Sequence, residues 1–209
     1  RLTVRVPNPK HERVEMKVML EVLENIPRSH DTAKKFYDSL DIEYNKSPIF
    51  EIILPMTPSP KELERIFDYY KNNIGDRDHW EAYDMKVKDW LGETNPKQIN
   101  VIHLIEEKEH MLNSDKIVRE FIEGKDLDYQ RVFLARSDPA LNYGLISAVL
   151  INKIALKRLH KLEKDTGVKI YPILGVGSAP FRGNFRPETV RNSLNGFPSV
   201  QTFTLQSAF

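Results

Sequence analysis

Residues 131–144 read RVFLARSDPALNYG, and they join an apolar run directly to a helix-like pattern. The apolar run 132–135 predicts the end of a buried strand, and Pro139 at the start of a helical pattern predicts the first turn of a helix. Arg136 and Asp138 therefore lie between the exit of a strand and the entrance of a helix. Enzymes built from alternating strands and helices place their chemistry at such junctions.

The same pattern recurs along the chain. Further apolar runs predict short buried strands at residues 2–6, 50–54, 99–105, 169–174 and 200–206. Amphipathic segments with helix-capping residues lie between them, such as the segments that begin at Ser59 and Ser114. Because strands that alternate with helices form parallel sheets, we expect an α/β fold of the β/α (TIM-type) barrel kind, with about six strand-helix units.

The length of the chain limits how much of a barrel it can form. A complete β/α barrel takes about 250 residues, whereas this chain has 209, so we expect an incomplete barrel, with an open doubly wound sheet as the alternative. The chain begins at Arg1 and stops directly after a predicted strand. We therefore expect residues 1–209 to be a single barrel segment of a larger catalytic domain, with loops or small insertions at 38–48 and 75–96.

Composition and charge narrow the classes of function. The formal net charge is +1, from 31 basic and 30 acidic residues, so no overall field attracts nucleic acid or an anionic membrane. A hydrophobic share of 40% is typical of a globular domain with a sizeable core. No apolar run approaches the roughly 20 residues that span a bilayer. The absence of cysteine excludes disulfides and thiol catalysis, and the cytoplasm is the expected location.

Two carboxylates follow neighbouring predicted strands. Glu106 comes directly after the strand at 99–105, and Asp138 follows the next one. Mg²⁺ is bound by a few protein carboxylate oxygens, and water and substrate occupy its remaining coordination positions. Glu106 and Asp138 are therefore candidate metal ligands. The alternative is that Asp138 or Ser137 is only a helix cap. His103 lies within a strand, and we interpret it as a core residue with satisfied hydrogen bonds rather than a catalyst.

Arginines provide the candidate anion site. Arg5, Arg136 and Arg182 all lie at or near predicted strand ends, and a guanidinium suits carboxylate or phosphate oxygens. For Arg5 the alternative is an internal ion pair with Glu51 or Glu106. The segment 175–184 contains three glycines and Arg182. We expect it to be a mobile loop that grips an anion when one is bound.

Several motifs in order resemble the archaeal-type phosphoenolpyruvate carboxylases. The matching runs are LTVRVPNP at 2–9, FEIILPMT at 50–57, FLARSDPA at 133–140, GSAPFRG at 177–183 and TFTLQSAF at 202–209. The resemblance implies a β/α barrel enzyme, a homotetramer, that makes oxaloacetate and phosphate from phosphoenolpyruvate and bicarbonate with Mg²⁺ or Mn²⁺. It also implies a reaction through carboxyphosphate and an enolate.

The resemblance also implies roles for individual residues. Glu106 and Asp138 match metal ligands, Arg5 matches an arginine that holds the substrate phosphate, and Arg182 matches one that steadies carboxyphosphate. The residues expected to bind substrate are Arg5, Arg136, Gly177, Ser178, Arg182 and Gln206.

The family's histidine motif and a later arginine-rich segment have no counterpart in this sequence, so we expect the segment alone to be inactive. The alternatives are a metal-dependent lyase or aldolase that handles a pyruvate enolate, and a non-catalytic binding or assembly module.

Overall fold

The computed structural model describes residues 2–44, 46–182 and 185–206, and the chain divides into two compact units. The first consists of Arg1–Pro55 with Lys61–Val101, and the second consists of Met56–Pro60 with Ile102–Phe209.

The first unit contains a parallel strand pair. β1 (Leu2–Arg5) pairs with β2 (Ile49–Leu54), with Arg5 opposite Ile53. Its two longer helices are α1 (Met16–Asp38), preceded by a 3₁₀ turn, and α2 (Pro60–Tyr70), which continues into a π-helical turn, Lys71–Gly75. α2 begins with proline, as its sequence predicts. Its buried face is formed by residues at helical spacing, namely Leu63, Ile66, Phe67 and Tyr70.

A small insertion follows α2, in the segment expected to hold a loop or insertion. It consists of a 3₁₀ turn (Arg77–His79), a two-stranded antiparallel hairpin of β3 (Glu81–Ala82) and β4 (Met85–Lys86), and the short helix α3 (Val87–Leu91). The buried carboxylate of Asp78 accepts a hydrogen bond from the Thr94 amide at 2.9 Å and pairs with Lys97. These contacts attach the insertion to the chain that leads back to the sheet.

The second unit carries the longer parallel ladder. Its strands are β5 (Asn100–Ile105), which belongs to this unit from Ile102 onward, β6 (Tyr129–Leu134), β7 (Lys169–Gly177) and β8 (Thr202–Leu205). They pair in that order, and every pair is parallel. Its helices are α4 (Lys108–Leu112), α5 (Ser114–Ile122), α6 (Ser137–Tyr143), α7 (Leu145–Thr166) and α8 (Val190–Gly196).

Glycines set two boundaries that differ from the sequence-based expectation. The helical pattern after Pro139 predicted one long helix, but it forms two, α6 and α7, because Gly144 between them has φ +83°. The strand predicted to end at Leu174 runs on to Gly177, where Gly175 lies opposite Thr204. Glycines carry no side-chain periodicity, so the last part of this strand is invisible to pattern reading. α7 ends as expected at Gly167, in the left-handed conformation.

The expected fold class is confirmed. Six strands in parallel ladders alternate with helices along the chain, which is consistent with an incomplete β/α barrel. In the described part of the chain, no helix combines the length and the apolar character of a transmembrane span.

Candidate active site

The ends of β5 and β6 bring the two predicted metal ligands to one edge of the second unit. Ile105 lies opposite Leu134, and the next amide, that of Ala135, donates to the Ile105 carbonyl at 3.0 Å. Glu106 follows Ile105 directly, and Asp138 lies in the first turn of α6. The expectation that these two carboxylates follow neighbouring parallel strands is therefore confirmed.

The carboxylate of Glu106 is oriented by a backbone amide. Its Oε2 accepts a hydrogen bond from the Met56 amide at 3.0 Å. Met56 has φ +51°, and the next residue, Thr57, donates from its hydroxyl to the Leu104 carbonyl at 3.2 Å. The Met56–Thr57 segment is thus attached to the end of β5. Sequence reading did not assign a role to Met56, because its backbone amide rather than its side chain makes the contact.

Asp138 presents an unengaged carboxylate. It is exposed, and it makes no hydrogen bond or ion pair with the residues that the structure describes. The N-cap position of α6 is occupied by Arg136, and no side chain caps the helix. The alternative that Asp138 or Ser137 serves as the helix cap is therefore wrong, and the Asp138 carboxylate is available for a ligand.

The two carboxylates are donors of the type that a hard divalent cation prefers. Both donors are oxygens, one half-buried and held by an amide and the other exposed. Within the described ranges no cluster of three or more His, Asp or Glu side chains could hold a metal ion. Mg²⁺ is commonly bound by one or two carboxylates, with water and substrate oxygens completing its coordination, so two protein ligands suffice.

Arg136 is buried next to the first helical turn of α6, which contains Asp138. Its side chain is only 6% exposed, and its Nη2 donates to the carbonyls of Val176 at 3.2 Å and Phe181 at 2.7 Å. Removal from water lowers the pKa of Arg136, since burial disfavours the charged form. Its contacts connect the end of β6 with the segment that follows β7.

That segment begins at Gly177, where the backbone is left-handed with φ +73°. A Cβ added there would lie 3.1 Å from the Phe181 Cβ and 3.2 Å from the Ser137 Cβ, so any other residue would be both crowded and strained at this φ. Ser178 follows and accepts from the Phe181 amide at 2.9 Å, closing a 3₁₀ turn, Ala179–Phe181. Gly177 thereby brings this turn against the start of α6.

Arg182 and Gln206 are hydrogen-bonded to each other beside this turn. Arg182 donates from Nη2 to the backbone carbonyl of Gln206 at 2.7 Å, and the Gln206 amide donates to the Gly177 carbonyl at 3.3 Å. The side chain of Gln206 is exposed, as the residue lies just after β8. Gly183, Asn184 and residues 207–209 of the matching motifs lie outside the described residues.

Arg5 lies in the first unit, at the end of β1. Its Nη2 contacts Glu12 Oε1 at 3.1 Å, and its side chain is 51% exposed. The other oxygen, Oε2, accepts from the Asn8 amide at 2.8 Å. This amide and then the Arg5 guanidinium lower the pKa of Glu12 against the opposing effect of desolvation. The ion pair considered for Arg5 with Glu51 or Glu106 is therefore made with Glu12, which sequence reading missed.

His103 is a core residue, but its ring is not satisfied. It is fully buried in β5 and packs edge-on against Phe121, with 5.2 Å between ring centroids. Neither ring nitrogen has a hydrogen-bond partner within the described structure, and burial lowers the pKa of His103 to about 3. The expectation of satisfied hydrogen bonds is wrong, while the placement in the core is correct.

Comparison with known proteins places these motifs in one family. The family model described as phosphoenolpyruvate carboxylase matches residues 1–209. Relatives named phosphoenolpyruvate carboxylase include those of Methanothermobacter thermautotrophicus and Pyrococcus abyssi, each 52% identical over 100% of this chain. A third, from Picrophilus torridus, is 50% identical over 100% of the chain.

The match covers this chain completely but its relatives only in part. The chain spans 42%, 43% and 40% of the lengths of these three relatives, respectively. Within that part, the identity extends over both units. The chain belongs to the phosphoenolpyruvate carboxylase family.

Proposed function

We propose that the full-length protein carboxylates phosphoenolpyruvate with bicarbonate and releases oxaloacetate and phosphate. The observation that carries this proposal is a cluster of contacts at the end of the second unit. Arg182 donates to the Gln206 carbonyl, and the Gln206 amide donates to the Gly177 carbonyl. Gly177 in turn packs against the residue before Asp138. Three separate motifs of the chain meet in this cluster. The names of the relatives give the reaction class.

The charges of the reactants explain why arginines are needed. Phosphoenolpyruvate carries a phosphate and a carboxylate, and bicarbonate is itself an anion, so its attack on phosphorus is opposed by repulsion. In this proposal Arg5 holds the substrate phosphate and Arg182 steadies carboxyphosphate. Gly177 and Ser178 would offer backbone polar groups, and Arg136 and Gln206 complete the proposed substrate-binding set.

The proposed reaction has three steps. A bicarbonate oxygen forms a bond to phosphorus as the bond to the enolate oxygen breaks, giving carboxyphosphate and the enolate of pyruvate. Carboxyphosphate then breaks its carbon–oxygen bond to give CO₂ and phosphate. Finally, the enolate carbon bonds to CO₂ and forms oxaloacetate. If water reaches the enolate first, carbon takes a proton and pyruvate forms instead.

Glu106 and Asp138 would hold Mg²⁺ or Mn²⁺ in this reaction. When bound, the cation would supply positive charge that offsets the phosphate and enolate oxygens. Glu106 is suited to this role because the Met56 amide fixes one of its oxygens. Asp138 is suited to it because no described residue competes for its carboxylate.

Residues 1–209 would be one part of the catalytic domain in this proposal. A histidine motif and an arginine-rich segment elsewhere in the full-length protein would complete the site, in a cytoplasmic homotetramer. Gel filtration with light scattering on the full-length protein tests the tetramer directly.

An isotope experiment tests the proposed reaction. Full-length protein is incubated with phosphoenolpyruvate, Mg²⁺ and ¹⁸O-labelled bicarbonate, and oxaloacetate and phosphate are analysed by mass spectrometry. Attack by bicarbonate predicts equal amounts of the two products and transfer of one labelled oxygen to phosphate. A lyase or aldolase would release phosphate without bicarbonate dependence or not at all, and an assembly module would give neither product.

A further inference from the structure

Arg136 is a buried cation with only neutral partners. Its one bonded nitrogen, Nη2, donates to two backbone carbonyls, those of Val176 and Phe181. No acidic side chain of the described chain pairs with it, and its Nε is buried without a hydrogen-bond partner. Burying a charge without a counter-ion is costly, and a neutral donor could make the same two bonds with less desolvation. These two hydrogen bonds therefore do not by themselves account for a cation at this buried position.

The two carbonyls lie at the two ends of one turn. Val176 precedes Gly177, where the chain leaves β7, and Phe181 ends the 3₁₀ turn and directly precedes Arg182. A single nitrogen thus joins the entrance and the exit of the turn. Because the Arg182 backbone follows immediately after Phe181, the hydrogen bond of 2.7 Å to the Phe181 carbonyl limits where the Arg182 side chain can begin.

Arg136 also fixes this turn relative to the proposed metal ligand. It is the N-cap residue of α6 and lies two positions before Asp138. The residue between them, Ser137, is in contact range of Gly177 at the start of the turn. Residues 136–138 therefore include Asp138 itself and, through the hydrogen bonds of the Arg136 side chain, also hold the turn that precedes Arg182.

We propose that Arg136 is a positioning residue that holds the Ala179–Phe181 turn, and with it Arg182, in register with Asp138. The inference rests on the proposed carboxylation and deepens it, since it assigns Arg136 an indirect part in substrate binding. A displaced Arg182 would leave the carboxyphosphate unsteadied, so more of the enolate would be protonated to pyruvate.

The test is the ratio of pyruvate to oxaloacetate made by the full-length enzyme, measured with Arg136→Met, Arg136→Gln and Arg136→Lys. Arg136→Met removes the donors, and we expect the pyruvate fraction to rise on the order of 10-fold with less than about 3-fold change in KM for phosphoenolpyruvate. Arg136→Lys keeps a charged donor and should restore part of the ratio. Arg131→Lys is the matched control and should leave the ratio unchanged, because Arg131 lies within β6 and donates to the Thr202 hydroxyl instead.

Hydrogen exchange supplies a readout that does not need turnover. The Phe181 amide is bonded to the Ser178 carbonyl at 2.9 Å, and its exchange should accelerate about 10-fold in Arg136→Met if the turn is released. If Arg136→Met fails to fold, Arg136→Gln takes its place in both measurements.

Two outcomes would overturn the proposal. An unchanged product ratio together with unchanged exchange would make Arg136 a structural residue. A KM for phosphoenolpyruvate raised 10-fold or more, with ratio and exchange unchanged, would make it a direct substrate contact. A wild-type enzyme that forms no oxaloacetate would instead refute the proposed carboxylation, and the exchange experiment would still decide whether Arg136 holds the turn.

Discussion

Arg182 donates a hydrogen bond from Nη2 to the backbone carbonyl of Gln206 at 2.7 Å. These residues come from two motifs that the sequence analysis assigned separately to substrate binding. In this contact the guanidinium has a neutral acceptor. Hydrogen bonds to ionised acceptors are roughly twice as strong as neutral ones, so a phosphoryl oxygen would outcompete the carbonyl.

Replacing Arg182 by glutamine should therefore impair turnover more than stability. We expect kcat for oxaloacetate to fall on the order of 100-fold, because the variant lacks the cation that we propose stabilises negative charge in the transition state, while the melting temperature changes little. Steady-state assays of full-length enzyme measure this. Arg186→Gln removes the same charge from an exposed neighbour and should have no comparable effect. Equal losses in both variants would indicate that only the net charge of this segment matters.

Replacing Asp138 by asparagine should weaken metal use without destabilising the fold. The carboxylate has no partner in the described part of the chain, so its loss removes no internal contact. We expect the Mg²⁺ concentration for half-maximal activity to rise by roughly 10-fold or more, since one of two anionic ligands becomes neutral. Glu107→Gln, an exposed carboxylate close to Glu106, is the control. An unchanged Mg²⁺ requirement would remove Asp138 from the metal site.

Replacing Arg5 by lysine should lower kcat/KM for phosphoenolpyruvate on the order of 10-fold or more. The exposed pair with Glu12 contributes at most about 1 kcal/mol, so the fold should remain intact. Lysine keeps the charge but loses the forked geometry that suits a phosphate. Arg77→Lys changes an arginine of the same unit that pairs with Glu24 and serves as the control. Unchanged kinetics in Arg5→Lys would leave the Glu12 pair as its only role.

The sequence predicted the elements that position the carboxylates better than it predicted their surroundings. Glu106 and Asp138 follow apolar runs that end sharply, so their places after β5 and β6 could be read from the alternation of strand and helix. Arg136 was identifiable as a candidate, but its partners are the carbonyls of Val176 and Phe181. Every residue has a carbonyl, so no pattern in the sequence marks them.

Contacts made by residues in irregular segments could not be predicted from the sequence either. Glu12 pairs with Arg5 across a stretch without helical or strand periodicity, so this ion pair could not be predicted from the sequence. Glu51 and Glu106 were the partners considered instead, since they lie in or next to predicted strands. The missing hydrogen bonds of His103 could not be foreseen either, because a buried strand position predicts burial but not which polar groups lie nearby.

Replacing Gly177 by alanine should reduce both stability and activity. Its left-handed backbone costs an alanine about 1–2 kcal/mol, and the added Cβ would crowd Phe181 and Ser137. Gly124→Ala is a matched control, because Gly124 has φ +71° but open space around it. Chemical denaturation and assays of both variants separate the two effects. Only Gly177→Ala should lose activity, and equal behaviour would show that crowding at the turn is unimportant.

His103 should make the protein less stable in mild acid. Its pKa is about 3 in the folded state against an ordinary value of 6.5, because burial disfavours the imidazolium. Between these values the unfolded chain binds a proton that the folded chain does not, so the free energy of unfolding falls as the pH falls. The two pKa values give a loss of about 2 kcal/mol between pH 7 and pH 5.

Urea denaturation of the full-length protein at several pH values, with and without His103→Leu, isolates this contribution. In His103→Leu, the decrease in the free energy of unfolding that His103 causes in acid should disappear. At pH 7 the variant should be at least as stable as the wild type, because the ring nitrogens it removes have no described partners. His79→Gln changes an exposed histidine and should retain the wild-type pH dependence. If His103→Leu kept that dependence as well, the imidazole would have to be protonated in the folded state, and carboxylates elsewhere would account for the acid sensitivity.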